Sequence, residues 1–319
     1  MALTLLESLK HFTTLPEDVQ PLIIEKYAGS SDILMNLPFV DAPSGTYAYR
    51  NRSQYPSVGF RAIGGSYAQT NGVINLQKES VFDLGGNIIL DAFIADLQNG
   101  MGLDALTNEA EATATAAGLH WTAKFFKGDS RTGVEFDGLQ NRLSGDRVLH
   151  TDNGSGSHTS GGDAISFKTL RIAKSLVLNP SCWIMSRQMK LKIDDAATNP
   201  DVAGYLTISP GQLGLEANML MGLPIYTVDL DDAGNEILPF QEAAAGGGSG
   251  CTSIYCLSMG AQAVHGIQMG PMTTKFWNQI PGQEYYQATI KWRSSFVMEN
   301  PRAAMRIDSI KDAAIVRGD

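Results

Sequence analysis

The residues that could perform chemistry are scattered along the sequence and complete no catalytic, phosphate-binding or metal-binding motif. Residues 246–250 read GGGSG, but no Lys-Ser or Lys-Thr follows them as in a phosphate-binding loop. Cys251 stands where a nucleophilic serine elbow, G-x-S-x-G, needs its last glycine. Asp229 and Asp231 begin like a calcium loop, yet the twelfth position of that loop is Phe240. We therefore expect no catalytic residue, no cofactor and no metal site, and we expect that the protein is not an enzyme.

The composition is that of a globular chain without signals for export, membrane insertion or nucleic-acid recognition. Its 319 residues are 43% hydrophobic and 18% charged, which allows a sizeable core and argues against disorder. A net charge of −9 disfavours DNA binding as the main role, because few phosphates could be neutralised. No apolar run reaches the roughly 18 residues of a membrane span, and the first residues lack the cationic start of a secretory signal. We expect the three cysteines to be small buried residues in a chain that matures in a reducing cytoplasm.

Residues 42–78 form a segment of unusual charge and composition. The segment contains no acidic residue but has three arginines and one lysine, and it is rich in glycine and tyrosine. Its pattern predicts a long β-hairpin, and an isolated two-stranded hairpin is at best marginally stable in water. We infer that a neighbouring chain covers it, the alternative being that it folds back on its own domain. The residues predicted to contact the neighbour are Arg50, Arg52, Arg61, Tyr47 and Tyr55.

Other segments supply the elements that would hold such a hairpin. Residues 1–41 read as an irregular arm interrupted by prolines, and 129–164 as a largely polar loop region. Residues 165–281 predict a compact α/β unit, with one strand near 205–208, and alternation over 286–298 predicts a long half-buried strand. A long helix over 103–127 is predicted from apolar side chains at helical spacing, namely Leu106, Ala110, Ala114, Ala117, Trp121 and Phe125.

The order of these features resembles that of tailed-bacteriophage major capsid proteins, which have the Hong Kong 97 (HK97) fold. The resemblance rests on residues 73–91 leading into the long helix, on the FDGL stretch at 136–139, on MGLPI at 221–225 ahead of a strand, and on the strand near 285–301. No single motif is specific, and the order and spacing of the features carry the resemblance, which covers nearly the whole chain.

The resemblance implies an α+β, HK97-like major capsid fold with five segments. These are an N-terminal arm (1–41), an extended β-hairpin loop (42–78), a peripheral domain with a spine helix (79–164), an α/β axial domain (165–281), and a return strand with the C-terminal part of the peripheral domain (282–319). It also implies the function of a structural subunit that self-assembles into pentamers and hexamers of an icosahedral bacteriophage capsid. Such a capsid assembles in the host bacterial cytoplasm, becomes part of the virion, and encloses double-stranded DNA without sequence-specific binding.

The sequence departs from the family pattern at two places, and other functions stay open. Only about 41 residues precede the hairpin, so we expect no cleaved scaffolding segment but a separate scaffolding protein and a portal as partners, and no membrane. Residues 42–77 contain no lysine, so we expect no covalent lysine cross-link at the tip of the loop. The alternatives are an encapsulin-type nanocompartment shell protein, a minor decoration protein, and a cytosolic α/β enzyme with an unrecognised site.

Overall fold

A computed structural model describes residues 3–4, 31–67, 69–94, 105–151, 159–198, 219–277 and 284–318. Several predictions concern residues outside these ranges, namely most of the N-terminal arm, the strand near 205–208 and the middle of the polar loop at 152–158. The side chains of Arg52 and Leu106 also lie outside the described part.

The chain contains both helices and strands, and the strands occur mainly in consecutive runs, as expected for an α+β protein. In chain order they are β1 (Leu3–Thr4), α1 (Asp32–Asn36), β2 (Pro38–Asp41), β3 (Thr46–Gln54), β4 (Val73–Ser80), β5 (Phe82–Asp91), α2 (Ala105–Lys127), α3 (Leu139–Arg142), β6 (Val148–His150), α4 (Phe167–Leu176), β7 (Cys182–Ser186), α5 (Arg187–Thr198), β8 (Met219–Leu220), β9 (Leu223–Val228), β10 (Cys251–Leu257), β11 (Val264–Gln268), β12 (Thr273–Trp277), β13 (Tyr285–Met298) and β14 (Ala304–Lys311).

The first sheet is built around the long strand β13. Its strand order is β1-β2-β11-β13-β12, and β5 pairs antiparallel with β13 from Phe82↔Ser294 to Asp91↔Tyr285. The alternation predicted for this strand is confirmed, since Ala288, Ile290 and Trp292 are buried on one face. That face packs against α2, a helix of 23 residues and about 34 Å. The helix buries the residues that its sequence pattern predicts for its core face, among them Ala110, Ala114, Trp121 and Phe125.

The second sheet has the strand order β6-β14-β10-β7-β9-β8 and is covered on both faces. Every residue of β7 and of β10 is buried, and their side chains alternate between two hydrophobic clusters. Trp183 and Met185 join the cluster formed with α4 and α5, whereas Cys182 and Ile184 join the core shared with α2. Burial on both faces explains why apolar residues in these strands do not alternate with exposed polar ones. All three cysteines are buried and unpaired, as predicted.

The two sheets exchange strands across the boundary predicted at residues 281/282. Strands β11 and β12 lie within 165–281 but pair with β13 in the first sheet. Strand β14 lies within 282–319 but pairs with β10 and β6 in the second. These pairings join residues far apart in the chain, so local sequence patterns did not indicate them. The division of the chain into the five predicted segments stays a prediction.

The FDGL stretch packs closely against the C-terminal end of α2. Gly138 donates its backbone N–H to the carbonyl oxygen of Gly128 at 2.9 Å. A Cβ atom on Gly138 would lie 2.5 Å from the carbonyl oxygen of Phe126, so only glycine permits this approach. The buried side chains of Phe136 and Leu139 then fix the segment against the core. This packing places α3 beside the root of the hairpin.

Candidate subunit interface

Strands β3 and β4 form the predicted hairpin and constitute a sheet of their own. They pair antiparallel from Thr46↔Ser80 to Gln54↔Val73, with an irregularity between Arg52 and Gln54. Nine residues of β3 extend about 30 Å at the rise of an antiparallel strand. The hairpin therefore has a base near residues 46 and 80 and a tip formed by residues 55–72.

The base of the hairpin packs on the body of its own chain. The Tyr47 hydroxyl donates a hydrogen bond to Glu299 Oε1 at 2.8 Å, and its ring meets that of His265 edge-on at 5.3 Å. Tyr49 is buried and donates to Gln77 Oε1 at 2.5 Å. Burial, and then the bond to Glu299, raises the pKa of Tyr47 to about 12, while burial raises the pKa of Tyr49. The alternative that the hairpin folds back on its own domain thus holds for the base.

An ion pair ties β4 to the FDGL region. Glu79 accepts hydrogen bonds from Arg142 Nη1 at 2.7 Å and from Nη2 at 3.0 Å, a bidentate geometry that fixes both side chains. Arg142 Nε also donates to the carbonyl oxygen of Asp137 at 2.8 Å, and its guanidinium lies 4.6 Å from the centre of the Phe296 ring. Sequence analysis missed this pair. The sequence contained one indication of it, because Glu79 is the first acidic residue after the acid-free segment 42–78.

The tip of the hairpin exposes large apolar side chains to an unusual degree. Val58 is 92% exposed, and Phe60 and Ile63 are as exposed as in an extended chain. Tyr55 and Tyr67 are also exposed, and along β4 the apolar side chains of Val73, Ile74 and Leu76 are exposed as well. Large apolar side chains exposed together in one segment generally mark a site of protein contact.

The arginines of the hairpin have no acidic partner in the described part of their own chain. Arg50 is exposed. Arg61 donates to the carbonyl oxygen of Gly65 at 2.9 Å and lies over the Tyr67 ring at 5.3 Å. Among the described residues neither arginine forms an ion pair, although the chain as a whole is acidic. An acidic surface on another molecule could supply these partners.

The five residues predicted as contacts thus fall into two groups. Tyr47 lies at the base, where the structure gives it contacts within its own chain. Arg50, Arg61 and Tyr55 are exposed on the hairpin, and the backbone of Arg52 lies in β3 opposite Ile74. Contact of any of the five with a neighbouring subunit stays a prediction.

The remaining candidates for chemistry lie apart from one another. Within the described ranges no group of three or more histidine, cysteine, aspartate or glutamate side chains is placed to hold a metal ion. His120 contacts Asp232 at 3.0 Å, and His150 contacts Asp308 at 2.6 Å. Both histidines are partly exposed, and the two partners of each pair are far apart in the sequence. None of the helices in the described part is long and apolar enough to span a membrane.

Solved structures of shell proteins are similar to this chain over nearly its whole length. No protein-family model and no curated protein matches the sequence. The capsid of a native GTA particle matches with a TM-score of 0.65 and 12% identity, over 88% of this chain and 90% of that chain. The holo-SrpI encapsulin complex from Synechococcus elongatus PCC 7942 matches with a TM-score of 0.60 and 14% identity, over 95% and 94%. The procapsid of satellite phage P4, including the size determination (Sid) protein, matches with a TM-score of 0.57 and 12% identity, over 97% and 94%.

These similarities establish the fold. The chain has the HK97-like α+β fold that the order of its sequence features predicted, and at 10–14% identity the backbone arrangement, not the sequence, carries the likeness.

Proposed function

We propose that this chain, which has the HK97-like fold, is the structural subunit of an icosahedral bacteriophage capsid. It would assemble into pentamers and hexamers that enclose double-stranded DNA, and its role would be structural rather than catalytic. The observation that carries the proposal is the hairpin, whose base is fixed to its own chain and whose tip exposes Phe60 and Ile63 completely. The similarity to capsid and encapsulin shells over about nine-tenths of the chain supports it.

The proposal extends to partners and location. A separate scaffolding protein and a portal would act during assembly in the host bacterial cytoplasm, and the subunit would reside in the virion capsid. The P4 procapsid, a structure of the same fold, is named as including the size determination (Sid) protein, which supports an accessory protein for such shells. Because the chain is acidic, we expect it to enclose DNA without sequence-specific contacts.

Assembly is the measurement that tests this proposal. We expect the purified protein to elute in very large assemblies on size-exclusion chromatography, or to convert to them, and to appear as closed shells in negative-stain electron micrographs. A protein that stays monomeric at all concentrations, with its hairpin ordered, would refute the proposal. An encapsulin shell is the second candidate, since the SrpI complex matches over 95% of the chain. Neighbouring terminase and portal genes would indicate a phage, and a neighbouring gene for an enzymatic cargo would indicate an encapsulin.

The charge of the hairpin provides a sharper test. Replacing Arg50, Arg52 and Arg61 with alanine should leave a soluble subunit but impair shell closure. Each exposed pair contributes only about 0.2–1 kcal/mol, so the three must act together. A control with the same change in net charge replaces Arg131, Arg187 and Arg293, all exposed and paired with acids of their own chain. Normal shells from the hairpin variant would remove the electrostatic part of the proposal.

A further inference from the structure

A small cavity opens between α2 and the start of β5. It has a volume of about 190 Å³, and aromatic side chains form much of its wall. The ring centres of Trp121 and Phe136 are 5.8 Å apart, and those of Phe82 and Phe136 are 6.4 Å apart. We call this cavity the aromatic pocket. An apolar cavity of about 150 Å³ can hold one benzene molecule, so the aromatic pocket has room for a single ring with a short substituent.

Two residues that line the aromatic pocket have buried polar atoms without a partner. Trp121 Nε1 and Ser294 Oγ form no hydrogen bond within the described part of the chain, and both residues are 1% exposed. The indole N–H can only donate, and the hydroxyl group can donate as well. Because a buried donor that stays unpaired is unfavourable, the pocket favours a ligand that brings an acceptor atom with it.

The indole of Trp121 differs in this respect from those of the other fully buried tryptophans. Trp183 Nε1 donates to the carbonyl oxygen of Leu220 at 3.2 Å, and Trp292 Nε1 donates to Gln268 Oε1 at 3.3 Å. The fold thus supplies an acceptor to each of these two indoles from its own chain. Trp121 lines the aromatic pocket, so the pocket is the place from which its acceptor can come.

The charges around the aromatic pocket are already balanced. Each of the four titratable side chains in its lining has a partner, in the pairs Lys124–Glu135 at 2.6 Å, His120–Asp232 at 3.0 Å and Asp83–Arg293 at 3.8 Å. A charged ligand would lose its hydration here without gaining an unpaired charge of opposite sign. The pocket therefore favours a neutral ligand.

The aromatic pocket is open to small molecules on one side. Val134 in its lining is 75% exposed, and the side chain of Asp83 is about half exposed. A ligand that entered on this side would contact three parts of the chain at once, namely α2, the start of β5 and the beginning of the FDGL stretch. Binding to the folded chain alone would stabilise it by mass action.

We propose that the aromatic pocket binds a neutral, single-ring carbonyl compound. The ring of the ligand lies against Phe82, Trp121 and Phe136. Its carbonyl oxygen accepts a hydrogen bond from Trp121 Nε1, and Ser294 Oγ is the second donor, since a carbonyl oxygen has two lone pairs. The pocket is complete within one chain, so this inference does not rest on the proposed function.

Fluorine NMR with two matched probes tests the site. The first probe is para-fluoroacetophenone, and the second is para-fluoro-α-methylstyrene, which has the same shape but a methylene group in place of the carbonyl oxygen. Broadening of the probe signal reports binding to a single subunit and to an assembled shell alike. A ligand of about ten non-hydrogen atoms that fits its pocket should bind the unaltered protein with a Kd of about 1 mM or lower.

Loss of either donor should weaken binding of the ketone selectively. Trp121→Phe keeps a ring in the wall but removes the N–H group, so the Kd of the ketone should rise about tenfold relative to that of the alkene. Ser294→Ala should shift this ratio in the same direction, and it removes an unpaired buried hydroxyl group, so folding should be unaffected. The matched control is Trp183→Phe, which removes an indole outside the pocket lining and should leave the ratio unchanged.

Three outcomes would overturn the proposal. If the ratio of the two Kd values is the same in the unaltered protein and in both pocket variants, water is the acceptor for these donors and the pocket does not select a carbonyl group. If Trp121→Phe does not fold, the ratio in Ser294→Ala decides. A ketone that does not bind the unaltered protein at about 5 mM would also refute the site. An equal change of the ratio in Trp183→Phe would show a general effect of core substitution instead of a defined pocket.

Discussion

The ion pair between Arg142 and Glu79 should control how firmly the hairpin is held to the body of the subunit. Arg142 makes two hydrogen bonds to Glu79, one to the carbonyl oxygen of Asp137, and a cation–π contact with Phe296. Its side chain is 12% exposed and that of Glu79 is 24% exposed. Replacing Arg142 with alanine removes all these contacts and leaves the Glu79 carboxylate unpaired in a partly buried position.

The cost of this change follows from the degree of burial. A hydrogen bond to a charged group contributes about 1.5–3 kcal/mol, and breaking a fully buried ion pair costs about 3–5 kcal/mol. Water still reaches about a quarter of the Glu79 side chain, so we place the loss at about 2–3 kcal/mol, toward the lower end of these ranges. With a urea m-value of about 3 kcal/mol/M, the unfolding midpoint should fall by about 1 M.

Urea unfolding of the unassembled Arg142→Ala subunit, followed by tryptophan fluorescence, measures this shift. The matched control is Arg131→Ala, which removes an ion pair with Asp129 whose arginine side chain is 83% exposed, and it should leave the midpoint unchanged. A double-mutant cycle with Glu79→Gln isolates the pairwise contribution. If Arg142→Ala and Arg131→Ala unfold at the same urea concentration, or if the cycle shows no coupling, the ion pair does not hold the hairpin.

Three further predictions concern the core and the hairpin base. Gly138→Ala should lower the free energy of unfolding by about 3 kcal/mol or prevent soluble expression, because its Cβ would lie 2.5 Å from the carbonyl oxygen of Phe126. The control Gly59→Ala, which has open space around it, should leave urea unfolding unchanged. Equal stability of the two variants would contradict the close packing at Gly138. Burial lowers the pKa of His265, so the unfolded chain binds a proton at this residue more readily than the folded chain does. The resulting contribution to stability is complete above the unfolded pKa of about 6.5 and is lost as the pH falls below it. His265→Gln should therefore flatten the decrease in unfolding free energy between pH 7 and 5, and an unchanged slope would exclude this role. Burial raises the pKa of Cys182 to about 12, so iodoacetamide at pH 8 should label it only in denaturant, and rapid labelling of the native protein would show that the strand opens.

Local periodicity accounts for the parts of the fold that the sequence predicted well. The helical spacing of Ala110, Ala114 and Trp121 and the alternation around Trp292 depend only on neighbours a few residues away, and the structure contains both elements. The hairpin was predicted for the same reason, from the spacing of Tyr47 and Tyr49 and from the run at Val73 and Ile74. The burial of the three cysteines also followed from residue type alone.

Which parts of the hairpin pack on their own chain could be predicted only in part. Its charge and low apolar content on the strands indicated that it needs a partner, but they did not distinguish base from tip. The structure places Tyr47 and Tyr49 against the body and leaves Phe60 and Ile63 exposed. The difference arises because the base lies beside β11 and β13, which are more than 200 residues away in the chain.

The sequence by itself determined the kinds of element, their order, the absence of a recognisable catalytic motif and the resemblance to a capsid fold. Only the tertiary structure decided which strands pair, that β14 joins the second sheet, that Glu79 meets Arg142, and that Trp121 and Ser294 line one pocket. The physical reason is the distance along the chain between the residues that determine each feature. Helical and strand periodicity are set by adjacent residues, whereas the choice among distant partners depends on how all the apolar faces are buried at once, and no local pattern records that choice.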